Sequence, residues 1–165
     1  MLKKGIFAMN ILSMAELKKH GILLDESVEY AGEFGQQLCK FSKEGEEGPI
    51  TGVVYTTYQN GLIKSYEYFI DGIRNGQSVY YFPNGNIRKM SNMLKGTAHG
   101  CFKEWYEDGN IKSVSEYKFG VEVSRVEWSE SGDVIKKKLE PSDFEKKLIQ
   151  KYERIYQTMM PAGEQ

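Results

Sequence analysis

The chain of 165 residues is poor in the side chains from which metal and catalytic centres are usually built, with two cysteines and two histidines. These four residues are His20, Cys39, His99 and Cys101. Their spacing matches no zinc-binding pattern, and the glycines form no phosphate-cradling loop between a strand and a helix. We therefore expect no metal, no cofactor and no catalytic residues, and we predict that the chain is not an enzyme.

A long apolar run is also missing, since no stretch approaches the roughly 20 apolar residues that a membrane-spanning helix needs. Lys3 and Lys4 precede a short apolar stretch, but Asn10 and Ser13 interrupt it. This pattern favours the start of a helix over the alternative of a signal peptide. Two cysteines make no disulfide framework, so we expect a reducing, cytoplasmic location.

Charge of one sign is lacking as well, because 22 basic and 23 acidic residues leave a net charge of −1. A nucleic-acid partner is therefore not favoured, and a membrane partner is unlikely on the same ground. Aromatic residues, by contrast, make up 13% of the chain and include 11 tyrosines, a residue that suits half-exposed strand faces.

Glycine is abundant, with 17 residues, and much of it recurs with a period of 24. Three columns repeat in register: Gly52, Gly76 and Gly100; Gly61, Gly85 and Gly109; Gly72, Gly96 and Gly120. Such interleaved columns indicate one supersecondary unit copied in tandem, as in solenoid proteins.

The repeating unit is predicted to be a β-hairpin. Asn60-Gly61 lies between two β-prone runs and is expected to form a two-residue turn in which both residues have positive φ. The equivalent bends are Asn84-Gly85 and Asp108-Gly109, and the return turns are Asp71-Gly72, Lys95-Gly96 and Phe119-Gly120. A fourth copy, ending at Gly132, is one residue short.

We predict one domain over residues 1–165, mainly β: a single elongated, twisted antiparallel sheet of tandem 24-residue hairpins, forming an open solenoid with a helix at each end. The parts are listed in chain order: an N-terminal helix over 6–20 and a lead-in strand to residue 24, a degenerate leading repeat over 25–51, hairpin repeats over 52–138, a capping-helix segment over 139–160, and a tail over 161–165. Within the last segment, Ser142 and Glu145 form a capping box that starts a helix over 142–160. Its apolar stripe is predicted to cover the last open strand.

Counting outward from two-residue turns predicts which residues share a face. Gly52, Gly76 and Gly100 are expected opposite Phe69, Met93 and Tyr117, so that a large side chain covers each bare glycine. On the other face, the predicted pairs are Thr57 with Lys64, Tyr81 with Arg88, Trp105 with Lys112, Tyr55 with Tyr66, and Val79 with Met90.

That second face supplies the candidate partner-binding residues, which are Lys64, Tyr66, Tyr81, Arg88, Trp105 and Lys112. Interfaces favour Tyr, Trp and Arg, and aromatic rings beside a column of cations invite cation–π contacts. The alternative is a set of solvated cations that pair with Glu67 or Glu116 nearby.

The repeat resembles the MORN family, specifically the bacterial MORN-repeat variant often classed with antitoxins and immunity proteins. The resemblance covers roughly residues 48–138. It lies in Gly48-Pro49-Ile50-Thr51-Gly52, Tyr58-Gln59-Asn60-Gly61, Tyr81-Phe82-Pro83-Asn84-Gly85, Lys95-Gly96-Thr97-Ala98-His99-Gly100 and Trp105-Tyr106-Glu107-Asp108-Gly109. The resemblance implies an open sheet of successive hairpins and a protein that binds and neutralises a co-produced toxin.

Three functions follow as alternatives. The first is an antitoxin or immunity protein that occludes a cognate toxin. The second is a MORN-type scaffold or a module that binds anionic membrane surfaces. The third, an enzyme of unrecognised type, ranks last because stacked hairpins enclose no pocket. A homodimer through an open sheet edge is a further possibility.

Overall fold

The structure, a computed structural model, describes residues 11–31 and 35–159. The helices of this part are α1 (Met14–His20) and α2 (Asp143–Met159). Its strands are β1 (Ile22–Leu23), β2 (Val28–Ala31), β3 (Gln37–Ser42), β4 (Gly45–Pro49), β5 (Gly52–Thr57), β6 (Ile63–Ile70), β7 (Ile73–Tyr81), β8 (Ile87–Leu94), β9 (Thr97–Ala98), β10 (Gly100–Trp105), β11 (Ile111–Lys118), β12 (Val121–Trp128) and β13 (Val134–Lys138). The predicted fold class, mainly β with a helix near each end, is confirmed.

Some predictions fall outside the described residues: the N-terminal part of the first helix over 6–10, the signal-peptide alternative, and the tail over 161–165. Within the described part, α1 begins only at Met14, because Ser13 forms a capping box with Glu16. The predicted capping box of α2 is confirmed, since the Ser142 N–H donates to Glu145 and the Glu145 N–H donates to the Ser142 hydroxyl.

Ten strands form the long sheet, in the order β1, β5, β6, β7, β8, β10, β11, β12 and β13, with β9 paired to β8. All pairs are antiparallel except β1 with β5, which is parallel. The segment predicted as a degenerate repeat forms something else, a separate sheet in the order β2-β3-β4, called the small sheet below. The described residues therefore form two sheets and not the single sheet that was predicted.

The bends at Asn60-Gly61 and its equivalents are not two-residue turns. Gly61 donates to the Tyr58 carbonyl at 2.9 Å, and the Tyr58 N–H donates to the Leu62 carbonyl at 2.8 Å, so the loop has three residues. Only Gly61 has a positive φ, 81°, while Asn60 uses its side-chain oxygen to accept the Leu62 N–H. A bulge follows, so the residue opposite Thr57 is Ile63.

This bulge corrects the predicted pairing at every bend. The residues opposite Tyr81 and Trp105 are Ile87 and Ile111, not Arg88 and Lys112. Beyond the bulge the predicted register is confirmed, for example in Tyr55 with Tyr66, Val79 with Met90, and Gly76 with Met93. The three-residue bend also recurs in the shortened fourth hairpin, where Gly132 donates to the Ser129 carbonyl.

The return turns are the two-residue turns with two left-handed residues. In the second of them Lys95 has φ 46° and Gly96 has φ 79°. Lys95 N–H donates to the side chain of Asn75 at 2.9 Å, and Gly96 N–H donates to the Arg74 carbonyl at 2.7 Å. Each return turn is thus held by a segment 20 residues earlier in the chain, which offsets the strain of a non-glycine residue at positive φ.

The same pair of hydrogen bonds, one to an earlier side chain and one to an earlier carbonyl, is called the latch here. The latch occurs with a period of 24 residues in all three return turns. Its side-chain acceptor changes type from copy to copy: Thr51 for the first, Asn75 for the second and His99 for the third. In the third, the Phe119 N–H donates to His99 Nδ1 at 3.3 Å. This hydrogen bond gives His99 a structural role, because the third return turn uses its ring nitrogen as the acceptor.

The glycines of the column at 52, 76 and 100 are needed for a different reason from the predicted one. Gly76 has φ 105° and Gly100 has φ 83°, a region that other residues rarely adopt. A side chain at Gly76 would meet Tyr68 at 3.3 Å rather than Met93. The glycines therefore allow the backbone to bend at the start of these strands, and coverage by large side chains is not their cause.

Each face of the long sheet is covered near its first hairpins. On one side, called the α1 face, Leu17 of α1 is fully buried with Tyr66 and Val79. On the other, called the small-sheet face, Leu38 of the small sheet packs with Val54 and Phe69. The alternation of Val53 and Val54 between the two clusters agrees with a strand buried on both sides.

The outer strand β13 ends the long sheet opposite β1. Its backbone edge is open within the described residues, and it carries Lys136, Lys137 and Lys138. Antiparallel pairing of two copies along this edge would bring lysines opposite one another. The homodimer through an open sheet edge stays a prediction, and repulsion between these lysines would oppose it at β13.

Candidate functional site

Three of the six predicted partner-binding residues meet at one place, close to the hairpin bends. Arg88, Trp105 and Lys112 line a groove of about 510 Å³, called the bend groove. The same groove is also lined by two aromatic residues, three acidic residues and one further cation: Phe82, Tyr106, Glu104, Glu107, Glu130 and Lys89. Its mixed charges make it a polar surface rather than an electropositive one.

Two cations of the bend groove form cation–π contacts. The Arg88 guanidinium lies 5.9 Å from the Tyr80 ring centroid, and the Lys112 ammonium lies 5.4 Å from that of Tyr106. Arg88 is exposed, so this contact contributes about 0.5–1 kcal/mol. Lys64, the first cation of the predicted column, is exposed but does not line the groove.

The alternative prediction is a set of solvated cations that pair with Glu67 or Glu116, and of these two pairings the one with Glu67 does not fit the geometry. Glu67 accepts hydrogen bonds from Arg74 and from the Tyr80 hydroxyl. Burial and this hydrogen bond raise the pKa of Tyr80. Glu67 is thus held by other partners, and Arg88 forms no ion pair with any described residue.

Tyr66 and Tyr81, by contrast, lie in the interior. Their exposed fractions are 0% and 8%, and both pack in the cluster under α1. The Tyr66 hydroxyl donates to Gln77 at 3.0 Å and accepts the Leu12 N–H at 3.2 Å, so it is satisfied. Burial raises the pKa of Tyr81 to about 12. Both tyrosines are core residues, and the reason is that the helix before β5 covers this face.

A cluster that the sequence analysis did not find lies on the small-sheet face. Arg125 donates to Glu127 at 2.8 Å and to Ser115 at 3.3 Å, with Glu104 at 3.7 Å and Glu122 at 4.0 Å. Burial lowers the pKa of Arg125, but the Glu127 hydrogen bond and the three carboxylates outweigh burial and raise it. The cluster ties β10, β11 and β12 together and leaves no carboxylate there unpaired.

Helix α2 is attached to the sheet near both of its ends. At its start, the Lys138 ammonium donates to Glu145 at 2.8 Å. This bond and those from Ser142 hold the pKa of Glu145 at about 2. Towards its end, the Tyr156 ring lies 5.6 Å from that of Phe119. The helix is therefore fixed beside the third return turn rather than across the outer strand.

The expected apolar stripe of α2 exists, but it is not buried. None of its residues reaches the interior, and the exposed fractions are 70% for Phe144, 67% for Met159 and 42% for Ile155. The predicted function of α2, to cover the last strand, is therefore wrong for most of the stripe. Its open side faces a hollow instead.

That hollow is called the trough, and it runs along the return-turn side of the sheet. One part, of about 540 Å³, lies between α2 and the second and third return turns. The other, of about 410 Å³, lies between the small sheet and the second return turn. Lys95 and Thr97 line both parts, so the two parts adjoin at the second return turn.

The walls of the trough follow from where the small sheet docks. Gly72 donates to the Ile50 carbonyl at 2.8 Å and accepts from the Leu38 N–H at 2.8 Å. A side chain at Gly72 would meet Leu38 at 2.8 Å, so only glycine permits this approach. The small sheet thus occupies the first return turn and α2 the third, and the second remains open between them.

Neither surface is a metal site in the part of the chain that the structure describes. No three His, Cys, Asp or Glu side chains of the described residues are placed to hold a metal ion. In the same residues, no helix is long and apolar enough to cross a bilayer. What both surfaces offer is aromatic rings, cations and apolar area.

Comparison with known protein families gives a match for part of the repeat array. Residues 74–95 and 98–119 match the family pattern described as the MORN repeat variant. The two tandem matches correspond to the hairpin units that begin before Gly76 and Gly100, a narrower range than the expected resemblance over 48–138. Repeats of this type occur in binding and scaffold modules, and nothing in the match indicates an antitoxin. No curated protein and no solved structure matches the chain.

Proposed function

We propose that the chain is a non-catalytic protein-binding module that neutralises a cognate toxin by binding and occluding it. The binding part rests on one observation, the open apolar side of α2, where Tyr152, Ile155 and Met159 are all exposed. Contiguous exposed apolar residues of this kind mark interaction sites. A helix fixed at both ends presents them without a further ordering cost.

The repeat array supports this proposal by its rigidity. Return turns latched every 24 residues, and the ion cluster around Arg125, hold the hairpins in one arrangement. A stable interface needs about 800 Å² on each partner, which a row of three or four hairpins offers on one side. Rigid surfaces of this size suit occlusion of another protein.

The toxin as partner rests on the resemblance to the MORN repeat variant, and it is tested genetically and by purification. The gene adjacent to that of this chain would be expressed alone and together with the chain. We expect growth arrest alone, rescue on co-expression, and co-purification of a stable complex. Absence of toxicity, or rescue without a complex, would overturn the toxin part of the proposal.

One observation favours the alternative, a scaffold bound to anionic membranes. Residues 136–154 carry seven cations and four acids beside the apolar side of α2. Cations near an anionic surface contribute about 1 kcal/mol each. Flotation with phosphatidylserine-containing vesicles distinguishes the two: salt-sensitive binding would favour the membrane, and we expect none.

A further inference from the structure

We infer that the trough binds a short apolar segment of a partner protein that carries a carboxylate above Lys95. This inference rests on the proposed function as a binding module, and it adds the place and the chemistry of the partner. It is independent of whether that partner is a toxin.

The apolar part of the segment follows from the lining of the trough beside α2. Leu148, Ile155 and Met159 come from the helix, and Leu94 and Val121 come from the sheet. A volume of about 540 Å³ lies in the range of sites that bury most of a ligand. Large aliphatic or aromatic side chains are the groups that gain most from such a lining.

The partner's carboxylate is inferred from the charges of the trough lining. None of the described residues that line either part of the trough is acidic. Of its two cations, Arg74 is already paired with Glu67, whereas Lys95 has no ion pair with a described residue. The Lys95 ammonium lies over the Tyr156 ring at 5.1 Å, in the middle of the trough. A partner carboxylate there would pair with Lys95, the one lining cation that has no ion pair among the described residues.

The shape of the trough favours a protein segment over a bilayer or a nucleic acid. Hollows flank the second return turn on the side of α2 and on the side of the small sheet, and a planar membrane surface makes poor contact with a concave lining. One unpaired cation is also too few for a phosphate backbone or a lipid surface, each of which needs several. A narrow segment with an acidic residue between apolar anchors meets both conditions.

The test uses the full chain and a phage-displayed library of random dodecapeptides as the probe. We expect enrichment of peptides in which Asp or Glu lies next to two or more large apolar residues. An enriched peptide would then be synthesised with a fluorescent label, and its affinity measured by anisotropy. Enrichment of basic peptides, or of no shared pattern, would overturn the inference.

Variants locate the binding. Ile155→Asp, inside the trough, is expected to weaken peptide binding about tenfold or more. Phe144→Asp is the control, because Phe144 is an exposed apolar residue on the same helix that does not line the trough. Equal loss in both variants, or loss in neither, would overturn the inference.

Lys95→Asn distinguishes the effect of removing the positive charge from the effect of destabilising the fold. Asn-Gly suits a turn with two left-handed residues better than Lys-Gly does, so this variant is expected to be at least as stable as the natural chain. Weaker binding, by about fivefold, can then not come from unfolding. Unchanged binding, with the natural thermal stability, would show that Lys95 meets no carboxylate.

The other occupants are outcomes of the same set of variants. Vesicle binding that Ile155→Asp abolishes would assign the trough to a membrane, and a dimer that this variant dissociates in sedimentation equilibrium would assign it to a second copy. Either result would overturn the inference. Toxin rescue that survives Ile155→Asp would leave the proposed function intact while overturning the trough as its site.

Discussion

Replacing Asn75 by leucine removes the side-chain acceptor of the second return turn and little else. Leucine has nearly the shape of asparagine, and Asn75 is only half-buried. The Lys95 N–H would lose its bond to Asn75 Oδ1, while the Gly96 N–H would keep its bond to the Arg74 carbonyl. The turn would therefore be held by one bond in place of two.

The expected loss follows from the bond and its surroundings. A neutral hydrogen bond contributes about 0.5–1.5 kcal/mol net, and water reaches this exposed turn and replaces part of it. We expect the free energy of unfolding to fall by about 1 kcal/mol, which for a chain of this size lowers the melting temperature by about 2–4 °C. Asn75→Asp keeps the acceptor and is the matched control, with a change of less than about 0.5 kcal/mol.

The assay combines urea unfolding with amide hydrogen exchange, since a repeat array need not unfold in one step. Exchange of the Lys95 amide reports on the turn itself, and we expect its protection to fall in Asn75→Leu and to persist in Asn75→Asp. Equal stability of the two variants would refute the latch. So would unchanged protection of Lys95 in Asn75→Leu.

Three further predictions concern other parts of the sheet. Gly76→Ala and Gly100→Ala each place a side chain on a residue with positive φ, and each is expected to lower the free energy of unfolding by about 1–2 kcal/mol or more. The loss is expected to be larger for Gly76→Ala, because the new side chain has a closer neighbour there. Thermal melts that rank the two variants the other way would contradict this. Arg125→Leu removes the cation that Glu104, Glu122 and Glu127 share, and only Glu122 has another cation, Lys138, within 4.0 Å. This variant is expected to lower the free energy of unfolding in urea by about 2–3 kcal/mol, whereas Arg88→Leu, at an exposed site, is expected to change it by less than about 0.5 kcal/mol. Similar losses in the two variants would refute the assignment of roles. The pKa of Glu145 is lowered from its ordinary 4.5 to about 2, so its stabilisation of α2 is complete above pH 4.5 and is lost as the pH falls towards 2; an NMR titration of the carboxyl carbon with a midpoint near 4.5 would disprove this.

The chain's local signals predicted the repeating part of the fold well. Turn chemistry depends on residues within a few positions, so the positions of the bends, the return turns and the Ser142 cap could be derived from dipeptides and spacing. The geometry of the bends could not, because Asn-Gly suits both a two-residue turn and a three-residue turn with a bulge. That difference moved Arg88 and Lys112 out of the predicted pairs.

Local sequence signals do not show which elements pack on a strand from elsewhere in the chain. Tyr66 and Tyr81 have the residue type of an interface and are buried all the same, because α1 packs on them from outside the repeats. The apolar pairs beside them, such as Val79 with Met90, were a signal of a core face that could have indicated this. Leu17 is a second such signal, because it is the apolar centre of a short amphipathic helix.

The sequence alone therefore determined a row of 24-residue hairpins with fixed turns, since each unit is specified by its own glycines and turn residues. Only the tertiary structure decided which surface stays open, because burial depends on where separate elements dock. Gly72 admits the small sheet, Phe119 holds α2, and the turn at Lys95 is left between them. The candidate site is a product of that placement, in which residues more than 60 positions apart form one lining.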